Sequence, residues 1–184
     1  ILRQIGVLYG HGYKLSAEER RDHLLLHLAC HTAPLFTPRL SEINHVSRNT
    51  TLDDLHKLRS CLQEKHGLAL IVSKKQGYCI EGKRLALRLC VQQLLQRNLK
   101  YSDTQTETRI AGVLAAYLDD FSMDADRVKG VIEQGILLAE YHQGWPFTDK
   151  DKRVLHYMLA FSLLDSLRGG HCDFSAPQSA LLRE

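Results

Sequence analysis

Between Gly67 and Gly82 the sequence stops repeating at helical spacing and becomes strand-like, and this switch narrows the folds open to the chain. "LALIVS" from Leu68 is a short β-rich run, "KKQG" reads as a turn, and "YCIEG" from Tyr78 reads as a second strand. Three helical segments lie ahead of it. "LSAEERRDHLLLHLACH" places Ser16 three residues before Glu19, a capping box, and follows it with an apolar face of Leu24, Leu25 and Leu28. "FTPRLSEIN" predicts a short helix capped by Thr37, with Pro38 at its first position and an end near Ile43. "RNTTLDDLHKLRSCLQEKHG" predicts a third helix, capped by Ser47, striped by Leu52, Leu55, Leu58 and Leu62, and stopped at Gly67. Three helices followed by a two-stranded hairpin is the order of a winged helix-turn-helix.

From Lys83 onward the pattern is helical throughout. "KRLALRLCVQQLLQRNL" leads to a polar break at residues 101–106, then come "TRIAGVLAAYLDDF", "DADRVKGVIEQGILLAEYHQG" and "DKDKRVLHYMLAFSLLDSLRGG". The expected class is therefore mainly α: a winged helix-turn-helix over residues 16–88 and an all-α domain over 89–184. With no Ser/Gly-rich linker, the boundary near residues 82–96 is expected inside one continuous helix. A chain of 184 residues, 44% apolar and 24% charged, has enough material for such a core. Charge is uneven: residues 1–88 hold 14 Lys and Arg against 8 Asp and Glu, while residues 89–184 hold 10 against 13. The basic first half makes a polyanion a candidate partner for it.

No apolar run approaches the roughly 20 residues of a bilayer span, so no membrane partner is expected. The five cysteines are odd in number and never in a C-x-x-C pair, which predicts a reducing cytoplasm rather than a disulfide framework or zinc ribbon. The opening Ile1-Leu2-Arg3-Gln4 has no targeting pattern and predicts a piece of something longer.

The helix after Ser47 carries the strongest functional signal. If its leucine stripe faces the core, Asn49, Thr50, Asp53, His56 and Lys57 point the other way, with Arg48 at the edge. The candidate DNA-binding set is Ser47, Arg48, Asn49, Thr50, Asp53 and Lys57, joined by Lys74 and Lys75 at the hairpin tip, where Gly77 supplies a positive φ and Tyr78 packs on the helices. His23, His27 and His31, with Cys30 nearby, read as a half-exposed stripe rather than a metal site. "GGHCD" from Gly169 sets a nucleophile type beside a base type, yet adjacent residues seldom form a catalytic pair. With no G-x-G-x-x-G, phosphate loop or G-x-S-x-G, neither an enzyme nor a cofactor is expected.

The run from "GYKLSAEERRDHLLLHL" through "VSRNTTLDDLHKL" to "KKQGYCIEGKRLALR" resembles the second DNA-binding module of bacterial transcriptional activators that carry PTS-regulation domains (PRDs). These are the mannitol- and lichenan-operon type, relatives of the bgl-type antiterminators. The matching residues are Glu19-Arg20, Val46-Ser47-Arg48-Asn49-Thr50, Asp54-Leu55, Gly77-Tyr78-Cys79-Ile80-Glu81-Gly82 and Arg88. Asp53 departs from the pattern, standing where such helices often carry a basic residue. The resemblance implies a cytoplasmic regulator of a sugar operon, double-stranded DNA as partner, a homodimer, and PTS phosphocarrier proteins acting on a PRD-like second half. Registering Phe161 and Gly169 on the PRD pattern puts Met158 at the phosphorylated histidine and Asp165 at an arginine, which implies either a PRD-like fold without the phosphoswitch or His156 as the substitute phosphorylation site. "GHGYKLS" at Gly10–Ser16 echoes "KKQGYCIEG", so residues 1–15 read as the tail of a preceding winged helix. The rival expectations are an RNA-binding antiterminator, a biotin-repressor-like enzyme, which would need a ligase domain, and a winged-helix module that binds protein instead of DNA.

Overall fold

The computed structural model describes residues 14–100 and 104–169. Among them the chain is mainly helical, seven helices with one two-stranded antiparallel hairpin. Most of residues 1–15, the "HCD" of residues 171–173, and residues 101–103 of the polar break lie outside the described residues.

α1 (Ala17–Cys30) begins at the capping box: the Ser16 hydroxyl accepts from Glu19 N–H, and the Glu19 carboxylate accepts from Ser16 N–H. Its apolar face is broader than the leucines imply, because every residue from Leu24 to Cys30 is buried. α2 (Thr37–Asn44) differs from expectation at both ends. Phe36, not Thr37, is the N-cap, and no side chain caps the helix. The reason lies upstream: Leu35 forms a parallel bridge with Gly77, which keeps Phe36 extended, and the Phe36 carbonyl already accepts from Leu40 N–H. The helix ends one residue past Ile43, where His45 turns left-handed at φ 51°. α3 (Arg48–His66) starts as expected, with Ser47 Oγ accepting from Thr50 N–H, and stops at Gly67, φ 62°.

β1 (Ala69–Ser73) pairs antiparallel with β2 (Gly77–Glu81), Ala69 opposite Glu81 and Ser73 opposite Gly77. Four helices follow: α4 (Arg84–Lys100), α5 (Thr104–Asp119), α6 (Ala125–Gln143) and α7 (Asp149–Leu167). α4 runs straight through position 88, and α5 begins at Thr104, inside the stretch expected to be a break.

The enclosure of α1 sets the architecture. It touches α2, α3 and β2 of the first half and α4, α5 and α7 of the second, and one continuous cluster of buried apolar side chains runs from Leu24 through Leu62 and Leu95 to Val113 and Leu164. Ion pairs from its first turns reach both ways. Arg20 forks onto the buried Asp54 carboxylate of α3, Nε to Oδ2 at 2.6 Å and Nη2 to Oδ1 at 3.1 Å. Glu19 meets Arg109 of α5 at 3.0 Å, and Asp22 meets Arg97 of α4 at 2.5 Å.

The three histidines do not form a half-exposed stripe. His27 is buried, and a hydrogen-bonded chain links the end of α2 to α5 through the rings of His23 and His27. Its polarity follows from chemistry. Asn44 Oδ1 can only accept, so His23 Nδ1 donates to it at 2.9 Å. The neutral His23 ring then accepts at Nε2 from His27 Nε2–H at 3.3 Å, and His27 Nδ1 accepts from the Tyr117 hydroxyl at 3.0 Å. Burial holds His23 down to about 4 and His27 well below the usual imidazole value, while Tyr117 is pushed above its own.

A protonation that the unfolded chain accepts near pH 6.5 and the folded chain refuses lowers stability as pH falls. Unfolding free energy measured by urea titration is therefore expected to drop by about 2 kcal/mol between pH 7 and pH 4.5 on account of His23, with His27 adding in the same direction. In His27→Gln that acid-side slope should flatten; an unchanged slope would remove the histidine chain as its cause.

Candidate nucleic-acid interface

α3 divides its residues by helical geometry. Thr51, Asp54, Leu55, Leu58 and Leu62 are buried, whereas Arg48, Asn49, Asp53, His56 and Lys57 are exposed. None of the side chains of Arg48, Asn49, Asp53 and Lys57 makes a hydrogen bond or ion pair to another described residue. These four are thus available to an external partner.

Ser47 and Thr50 stand apart from this group. The Ser47 hydroxyl caps the helix at Thr50 N–H (3.2 Å) and lies 3.0 Å from the Thr50 hydroxyl, so the two are engaged with each other at the helix start. Thr50 is also half-buried. Their first contribution is to hold the end of α3 in place. Beneath them, the Thr51 hydroxyl donates to the Ser47 carbonyl and meets Ser41 Oγ of α2 at 2.9 Å, which fixes the turn between α2 and α3.

Asp54 is the functional-region residue whose part a leucine-only stripe misses. It sits four residues before Leu58 on the buried face, where a lone carboxylate is costly, and Arg20 answers it from α1. The signal was present as a charge at a stripe position. Leu52, counted in that stripe, is only half-buried.

The hairpin hangs from α3, with Arg59 Nε donating to the Leu70 carbonyl at 3.0 Å. Lys74, Lys75 and Gln76 form its exposed tip, and the Ser73 hydroxyl accepts from Gln76 N–H at 2.9 Å. Gly77 has φ 64°, and a Cβ there would lie 2.2 Å from the Leu35 carbonyl oxygen. Only glycine lets that backbone come close enough for Tyr78 N–H to donate to Leu35 at 2.8 Å. Tyr78 is buried against the core, as its place after the glycine predicts.

His156 lies away from this surface. It is half-buried on α7 beside a cavity of about 670 Å³ between α5, α6 and α7, whose polar lining includes Glu107, Lys129, Glu133, Arg153 and Tyr157. Burial lowers its basicity. Met158 is half-buried on the same helix, and Asp165 is wholly buried and paired with both Arg84 and Arg88 of α4. Among the described residues no His, Cys, Asp and Glu cluster could hold a metal ion, and no helix is long and apolar enough to cross a membrane.

Comparison with protein-family models, with curated proteins and with solved structures returned no match to this chain.

Gly77→Ala tests how the tip is held. Positive φ and the close Leu35 carbonyl predict a loss of about 2 kcal/mol or more in urea unfolding. A neutral effect would mean that the strand pairing does not depend on this glycine.

Proposed function

We propose that the chain is a sequence-specific DNA-binding transcriptional regulator in which α1 to α3 and the hairpin act as a winged helix-turn-helix. The observation that carries this reading is the unengaged polar face of α3. In such a motif the second helix of the turn enters the major groove by its first residues, where Arg48, Asn49 and Asp53 stand. Asn49 has the amide geometry to pair with an adenine edge, and Asp53 accepts from a cytosine amino group. Lys57, Lys74 and Lys75 supply the phosphate contacts that set orientation without reading sequence. Residues 89–184 then form the PRD-like regulatory half. Phosphorylation of His156 by a PTS phosphocarrier would set a dianion at a cavity lined by Lys129, Lys152 and Arg153 and by Glu107, Asp126 and Glu133, compete for those cations and alter how α6 and α7 pack.

Anisotropy titrations on promoter-length duplexes across a salt series test the DNA reading. Charge reversal at Lys57, Lys74 or Lys75 should each weaken binding on every sequence and reduce the salt slope by about one. Asn49→Ala should instead relax preference at one base position by about 1–3 kcal/mol. Specific binding indifferent to all four changes would refute the interface. Failure to bind any duplex, with a stoichiometric protein partner recovered instead, would favour a protein-interaction module.

A second copy of the chain is the partner favoured by α6. Val131, Leu138 and Tyr141 recur on one face of that helix and are 63%, 58% and 82% exposed, with Trp145 just beyond at 65%. Burying this stripe in a homodimer would also give the two-fold symmetry that palindromic operators match. Light scattering at tens of micromolar is expected to report a dimer, and Val131→Glu with Leu138→Glu a folded monomer. A wild-type monomer at that concentration would end the proposal.

A further inference from the structure

A second cavity, of about 410 Å³, opens where the α1–α2 loop, the hairpin, the start of α4 and the end of α7 meet. Its polar lining is Arg84, Arg168, His31, Thr32, Gln76 and Cys79; among the described residues the two arginines are the only formally charged lining groups, and no carboxylate lines it. We propose that this cavity is a binding site for a small phosphate-bearing molecule, held between the Arg84 and Arg168 guanidinium groups. It goes beyond the DNA reading and does not depend on it.

Positive charge at this cavity exceeds the negative charge that meets it. The nearest buried carboxylate, Asp165, is already held by Arg84 and Arg88 together. Arg168 gives one donor to the Ala29 carbonyl at the end of α1 and makes no ion pair with a described residue. The carboxylates at the margin do not answer them. Asp120 is engaged by the Thr32 hydroxyl at 2.8 Å, and Glu81 is exposed at the end of β2. Arg168 is acidified by burial and by the neighbouring Arg84, the repulsion that an anion between them would relieve.

The chemistry of the donors selects the ligand. Two planar guanidinium groups and a primary amide surround one space, a set suited to the several acceptor oxygens of a phosphate dianion. The volume falls in the range of small-molecule sites and exceeds what inorganic phosphate alone fills, so an ester with a compact polar body is the fitting class. The His31 ring donates from Nδ1 to the Leu28 carbonyl and turns Nε2 toward Cys79 Sγ at 3.9 Å, which places an imidazole beside the hairpin wall. A ligand here would touch Gln76 of the hairpin and Arg168 of the second half at once.

The test uses the full chain without nucleic acid. Thermal unfolding is followed with inorganic phosphate and with glycerol 3-phosphate as probes, against sodium chloride at matched ionic strength. At roughly ten times the half-saturating concentration the Tm should rise by about 4 °C, and the ester should saturate at lower concentration than phosphate. Arg168→Gln and Gln76→Glu should each weaken the response at least tenfold, while Lys150→Glu at the exposed start of α7 should leave it intact. Gln76→Glu lies at the exposed tip, so it adds a repelling carboxylate without disturbing the core. A Tm rise reproduced by chloride, or retained in both variants, would overturn the proposal. So would loss of duplex affinity in Arg168→Gln with no phosphate-dependent Tm rise, which would assign the arginine to a nucleic-acid backbone.

Discussion

The complete burial of α1 from Leu24 to Cys30 is the constraint on which the rest of the structure depends. A helix with one apolar stripe can rest on a surface; one enclosed over two turns must be covered from every direction. Here the cover comes from α2, α3 and the hairpin together with α4, α5 and α7. The first three helices therefore share their core with the helices that follow, and a cut at residue 88 would divide α4 and expose apolar residues on both sides. Sharing of this kind couples α3 and the hairpin to the later helices without a dedicated connector.

The polar groups inside that core make the packing specific. Asp54 and Asp165 are carboxylates with almost no exposure, and each is met by arginine: Arg20 for the first, Arg84 and Arg88 for the second. A buried ion pair adds little net stability, but losing one partner leaves an uncompensated charge costing about 3–5 kcal/mol. Such pairs therefore act chiefly against wrong registers. Arg20 can satisfy Asp54 only when α1 crosses α3 in one alignment, and the arginines of α4 can reach Asp165 only when α7 ends where it does. The directional chain from Asn44 through His23 and His27 to Tyr117 adds the same discipline between α2 and α5.

Much of this was legible in the residues. Capping chemistry located the start of α1 and both ends of α3, because Ser16, Glu19, Ser47 and Gly67 act through bonds only three or four residues long. The hairpin was legible for the same reason, with Gly77 marking a left-handed backbone position. What local pattern missed depended on distant partners. Thr37 looked like a cap, but the Leu35–Gly77 bridge, formed across 42 positions, shifted that role to Phe36. His27 looked half-exposed because its cover, Tyr117, lies 90 residues away. On α3 the leucine spacing alone places Asn49, Asp53 and Lys57 on the exposed face, whereas the engagement of Ser47 and Thr50 at the helix end depends on hydroxyl geometry that spacing does not give.

The junction between the hairpin and the second half follows from the same packing. Only Gly82 and Lys83 separate β2 from α4, and a Cβ at Gly82 would lie 2.6 Å from Leu68 Cδ2, so the chain there has no room to become a loose hinge. α4 then leaves the hairpin as a rigid element, and its first two turns are held to the end of α7 through Asp165. Any rearrangement that moves the end of α7 must either carry the start of α4 with it or break two arginine contacts to a carboxylate that water cannot reach. The former is the cheaper course, since a helix moves as a body while a stranded buried charge has no compensation. The position of the tip carrying Lys74 and Lys75 relative to α4 is thus tied, through the short Gly82–Lys83 junction and Asp165, to the position of α7.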